Sequence, residues 1–136
     1  MDKSLYLEKN ISQQPAIDLL RSMGYTYISP EDCEAQRGSR YHVLLKDILR
    51  GQLRRLNRYA FAGAENEFSA ANIERAMEDL DEPLTDGLIR SSEKIYDALL
   101  LGKSYPETVG EGKTLSFNLK YIDWEHPENN LFHVTE

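Results

Sequence analysis

Seven cations crowd into one short stretch of this chain. Arg37, Arg40, Lys46, Arg50, Arg54, Arg55 and Arg58 fall between residues 37 and 58, where Asp47 is the lone acid. That stretch carries +6 while the whole 136-residue chain carries −7, so the remaining 114 residues hold −13. Six of the seven cations are arginine, whose planar guanidinium donates in pairs to phosphate oxygens. A basic island in an acidic chain suits contact with a nucleic-acid backbone, a feature that the total charge conceals. The same residues also suit a solvated helix face that pairs with the surplus acids, and the sequence leaves both readings open.

Other residues with chemical potential lack the context their chemistry needs. Gly112-Lys113-Thr114 resembles the end of a phosphate-binding loop, but Glu107 stands where that motif requires glycine, and the residues that follow alternate like a strand. A hairpin turn is the better reading. His42, His126 and His133 show no paired metal spacing. Asp123, Glu125, His126 and Glu128 surround Trp124 and Pro127 in an acidic loop that offers hard-cation ligands or, more simply, a solvated loop anchored by Trp124. Cys33 lies among Glu31, Asp32 and Glu34, which disfavour a thiolate nucleophile. No serine or threonine has a nucleophile's surroundings, so no catalytic or metal residue is assigned.

The basic residues need an element to present them. From Ser39 to Asn57 the residues Leu44, Leu45, Ile48, Leu49, Leu53 and Leu56 recur at helical spacing, with Ser39 as N-cap. Lys46, Arg50, Arg54 and Arg58 follow at intervals of four and are expected to face solvent, while Leu45, Leu49, Leu53 and Leu56 face the core. Helices are also expected over 14–23, with Pro15 in the first turn and Gly24 as the stop, from Pro30, over 69–80, and over 86–101 with Gly102 as the end. Residues 25–28 read as extended and 59–68 as a loop. Thr114 to Tyr121 alternate polar and apolar and pair back on 105–109 across Gly110-Glu111-Gly112. Leu131 to Val134 open another strand at the end of the sequence, which reads as one piece of a longer chain.

Size and composition fit one ordinary domain, with 40% hydrophobic and 29% charged residues. Apolar runs are far short of the ~20 residues a bilayer needs, so no membrane partner is expected. The first residues have no signal-peptide pattern. A single cysteine excludes an internal disulfide and fits the cytoplasm.

Glu31-Asp32-Cys33-Glu34-Ala35-Gln36-Arg37-Gly38-Ser39-Arg40, followed by Val43-Leu44-Leu45, resembles the N-terminal region of the R subunit (HsdR) of type I restriction enzymes. Two further blocks are similar to that family in the same order. One runs from Ala16 to Glu31 through Gly24-Tyr25-Thr26-Tyr27-Ile28, and the other is Ile122-Asp123-Trp124-Glu125-His126-Pro127-Glu128-Asn129-Asn130-Leu131-Phe132. The resemblance implies a PD-(D/E)xK nuclease domain ahead of an ATP-driven DNA translocase. It implies magnesium and ATP for the complete subunit, and DNA with the modification and specificity subunits as partners. In that family the metal-binding Asp and the Glu-x-Lys pair follow the Asn-Asn-x-Phe block, and neither motif follows that block in this sequence, so no catalytic role is carried over.

The fold expected is α+β: an N-terminal helical layer over 14–101, then a β-hairpin and strand start over 105–136, together the opening part of a restriction-endonuclease-like domain. Residues 1–136 are taken as a single N-terminal fragment of that nuclease domain, structural and DNA-contacting rather than catalytic alone. The alternative is a small non-enzymatic module that binds nucleic acid or protein through residues 37–58. An acidic mimic of DNA fits the −7 but not the central +6.

Overall fold

The computed structural model describes residues 9–38, 42–81 and 87–136, and shows mixed helix and sheet, an α+β chain. It divides into two compact units, Met1–Val43 with Leu131–Glu136, and Leu44–Asn130.

In the first unit a π-helical turn at Lys9–Gln13 leads into α1 (Gln14–Ser22), which has proline in its first turn and ends before Gly24 at φ 103°. Ile17 is the buried residue of α1. The strand β1 (Thr26–Tyr27) follows, and α2 (Pro30–Arg37) is capped where the Ser29 hydroxyl accepts from the backbone N–H of Asp32. The strand expected over 131–134 is the shorter β6 (His133–Val134), which runs parallel to β1 with Thr26 opposite His133. Thr26 N–H donates to the Phe132 carbonyl at 2.8 Å and Ile28 N–H to the Val134 carbonyl at 2.9 Å, while Tyr25 packs on Phe132. A pairing across more than a hundred residues has no local signature.

The second unit begins with α3 (Lys46–Leu56), shorter than the helix expected from Ser39. Ser39 lies outside the described residues, and His42 to Leu45 are not helical. Leu44 and Leu45 are half-buried from this non-helical segment, so their place in the apolar pattern did not require a helix. Residues 59–68 are not a plain loop either. Strands β2 (Arg58–Phe61) and β3 (Ala64–Glu67) form an antiparallel hairpin across Ala62-Gly63, at φ 52° and 78°, the positive pair that a two-residue turn demands. The helical stretch expected over 14–101 is interrupted there by sheet.

Helix α4 (Ala70–Leu80) starts at a Ser69 cap, and α5 (Leu88–Leu101) ends at Gly102. Gly102 has φ 76°, and a Cβ there would lie 2.4 Å from the Leu119 carbonyl, so only glycine lets the chain turn this close to the next strands. Strands β4 (Lys103–Val109) and β5 (Lys113–Leu119) pair antiparallel with Tyr105 opposite Phe117, joined by a 3-10 turn at Gly110–Gly112. Gly112-Lys113-Thr114 thus completes a hairpin turn.

Leu53, Phe68, Ile73, Ala76, Met77, Tyr105, Leu119 and Tyr121 make the core, with Leu49 packed against it and Tyr59 stacked on Phe117 at 4.5 Å. The Tyr105 hydroxyl donates to Asp79 at 2.5 Å and lies 3.1 Å from that of Tyr121, which donates to the Ala76 carbonyl. Burial, with Asp79 accepting the proton, pushes the Tyr105 hydroxyl far above the ordinary tyrosine range. Glu107 is buried on β4, where it accepts from the backbone N–H of Ser69 and the Asn72 amide and so closes the N-terminus of α4.

Candidate nucleic-acid interface

Helix α3 exists because Leu53 and Leu49 bury one stripe in the core, which turns its charged residues outward. It presents Lys46, Arg50, Arg54 and Arg55, and Arg58 follows on β2. Of the other two predicted cations, Arg37 closes α2 in the first unit, where its buried Nε has no hydrogen-bond partner among the described residues, and Arg40 lies outside them.

Part of the stripe is committed to acids. Arg50 binds Glu74 of α4 at 2.5 Å and Asp47 one turn back at 3.0 Å. Its guanidinium holds the Glu74 carboxyl below the ordinary carboxylate range, and Glu74 raises Arg50 in return. Arg58 pairs with its cross-strand neighbour Glu67 at 3.3 Å and donates to the Arg54 carbonyl. Lys46 borders a shallow cavity together with Glu74 and Glu78. Arg55 and Gln52 both donate to the backbone carbonyl of Asn129, which ties α3 to the loop at 127–129. Arg54 is exposed.

The positive surface is therefore narrower than seven residues in sequence suggest, with Arg54 and Arg55 its most outward members. The pairing of Arg50 with Asp47 was legible at i,i+3. Glu67 would have been found had the hairpin at 58–67 been recognised, since the register sets it opposite Arg58. Glu74 and Asn129 lie 24 and 74 residues from their partners and leave no local trace.

The acidic loop is held together by Asp123 rather than by Trp124. Trp124 is 57% exposed, although its indole N–H donates to the Leu99 carbonyl at 2.9 Å. Asp123 is buried, and its carboxylate accepts from the Asn129 amide, the His126 backbone N–H and the Lys120 ammonium. Those donors, the Asn129 amide foremost and against the cost of burial, hold its carboxyl at about 2. Asn130 completes the loop by bonding both the N–H and the carbonyl of Asp123. An anionic side chain satisfied by three donors is poorly placed to ligate a cation, and among the described residues no three His, Cys, Asp or Glu side chains converge on a metal position. The Asp123 carboxylate is thus committed to its own loop, and Gly112-Lys113 leads from a 3-10 turn into β5 rather than into a helix.

The architecture is that of an α+β chain in which one helix, α3, carries Lys46, Arg50, Arg54 and Arg55. Residues 5–136 match the family described as type I restriction enzyme R protein N terminus, and the chain belongs to that family. No curated protein and no solved structure matches it. Among the described residues, no helix is long and apolar enough to cross a membrane.

Proposed function

We propose that this chain serves as the N-terminal part of the R subunit of a cytoplasmic type I restriction enzyme, which cuts DNA with magnesium and ATP in a complex with modification and specificity subunits. The family match over residues 5–136 is the observation that carries this reading. The chain's own share is to form the opening part of a restriction-endonuclease-like domain and to contact DNA phosphate, while the ligands for magnesium and ATP come from elsewhere in the subunit.

DNA contact rests on the cations between residues 37 and 58. Arg54 and Arg55, exposed on α3, are its principal members, and Arg37, Arg40, Lys46, Arg50 and Arg58 are the other candidates in the sequence. Arginine side chains that reach only phosphates fix position without reading sequence. Fluorescence anisotropy with two labelled duplexes of equal length and unrelated sequence tests this directly. The two should bind with affinities equal within about twofold at low salt, as phosphate contact requires. Binding to neither duplex would contradict the proposal.

A further inference from the structure

Arg50 has one edge that matches a phosphate, and Glu74 occupies it. The Nε and Nη2 atoms of a guanidinium form a fork whose spacing fits two oxygens of a single carboxylate or a single phosphate. Oε1 of Glu74 accepts from Nε at 2.5 Å and Oε2 from Nη2 at 3.4 Å, whereas Asp47 accepts from the remaining nitrogen, Nη1, at 3.0 Å. Glu74 belongs to α4, so the packing of two helices, not local spacing, sets it against Arg50. Lys46 and Arg54 lie one turn to either side of Arg50 on α3. Arg50 foremost, then the charges of Arg54 and Lys46, hold the Glu74 carboxyl below the ordinary carboxylate range against the cost of burial. One carboxylate is therefore shared by three cations that follow at intervals of four.

That carboxylate has two effects on a phosphate approaching α3. It fills the paired edge of Arg50, and its own negative charge repels the newcomer. Neither effect is permanent. The Arg50 side chain is 33% exposed and that of Glu74 48% exposed, and an ion pair so open to water is weak enough for a competing anion to displace.

We infer that Glu74 is an internal competitor for DNA phosphate: its carboxylate stands where a phosphate would bind Arg50, so full engagement of α3 with a duplex requires this ion pair to open. Such competition presupposes the DNA contact proposed for α3 and adds the residue that limits it. Glu78, one turn further along α4, carries the same charge and borders the same shallow cavity beside Lys46. It separates the loss of a negative charge from the release of Arg50.

Fluorescence anisotropy of the 136-residue chain with one labelled duplex at several salt concentrations tests the competition, with circular dichroism confirming that each variant is folded. Glu74→Gln keeps the size of the side chain and removes its charge. It should tighten binding at low salt about fivefold, the worth of one exposed ion pair. It should also steepen the dependence of log K on log salt by about 0.9, as one further phosphate contact requires. Glu78→Gln should change affinity by less than about twofold, since the charge it removes is screened by solvent and salt. Adding Arg50→Gln should erase the gain, so that the double variant binds within about twofold of Arg50→Gln alone. A Glu74→Gln chain that binds no tighter than Glu78→Gln, or a gain that survives Arg50→Gln, overturns the competition and leaves DNA contact standing. Should neither wild type nor Glu74→Gln bind the duplex, DNA contact itself fails and the competition with it.

Discussion

Asn57 pairs with the backbone of Lys120 as a neighbouring strand would. Its side-chain amide donates to the Lys120 carbonyl at 2.8 Å, and its Oδ1 accepts the Lys120 N–H at 2.8 Å. The same amide donates to the Leu53 carbonyl at 2.9 Å, so one buried side chain caps the end of α3 and fastens it to the chain leaving β5. The helix that carries the arginines is thereby fixed against the β4–β5 hairpin. Asn57→Ala should cost about 2–3 kcal/mol, because it strips the partners from both backbone groups of Lys120. Asn57→Asp should cost at least as much, since an acceptor would replace the donor facing two carbonyls. Urea denaturation checks both.

The leucines and arginines of α3 should respond to substitution in graded fashion. Leu53 is fully buried, and Leu53→Ala should cost about 2–5 kcal/mol, while Leu49→Ala, at a half-buried position, should cost less. Arg50→Glu would set a like charge against Asp47 and Glu74 and should cost about 1 kcal/mol, whereas Arg54→Glu should stay within about 0.5 kcal/mol, as exposed charges do. Thermal melts of the four variants should reproduce that order, and a larger loss for Arg54→Glu than for Arg50→Glu would contradict the pairing.

The Asp123 carboxyl titrates at about 2 in the folded chain, below the ordinary carboxylate value, because its donors favour the charged form. A depressed carboxyl stabilises the fold fully above its unfolded pKa of ~4 and loses that contribution as the pH falls toward 2. Asp123→Asn removes the titrating group. The stability difference between wild type and this variant should therefore be constant above about pH 5 and shrink between about pH 4 and 2. A difference unchanged over that interval would show that the carboxylate is not held by these donors.

Purified chain incubated with magnesium, ATP and supercoiled plasmid should neither nick the DNA nor release phosphate, since no catalytic residue is assigned to this sequence and Gly112-Lys113 belongs to a hairpin rather than to a phosphate-binding loop. Agarose gels and a phosphate assay check the expectation, and nicking that survives repeated purification would refute it.

Much of the fold was legible where local chemistry decides it. Pro15 with Gly24, Ser69, Gly102 and the alternation from Thr114 mark α1, α4, α5 and the β4–β5 hairpin, because caps, stops and period act over a few residues. The pattern misled at Leu44 and Leu45, where burial was achieved without helix. The β2–β3 hairpin was hidden because its turn places a non-glycine residue, Ala62, at positive φ ahead of Gly63. The pairing of Thr26 with His133 and the capture of Arg50 by Glu74 are set by tertiary packing alone. The basic island itself was plain in the sequence, but which of its members meet acids was not.

Whether α3 meets DNA phosphate is tested most directly by the salt dependence of binding. The logarithm of the binding constant for a duplex should fall linearly with the logarithm of salt concentration. Arg54→Glu with Arg55→Glu should flatten that slope by about 2, because each phosphate that no longer has an arginine beside it lowers the slope by roughly 0.9. Equal slopes for wild type and the double reversal would contradict DNA contact through α3 and leave its arginines as a solvated, acid-paired face.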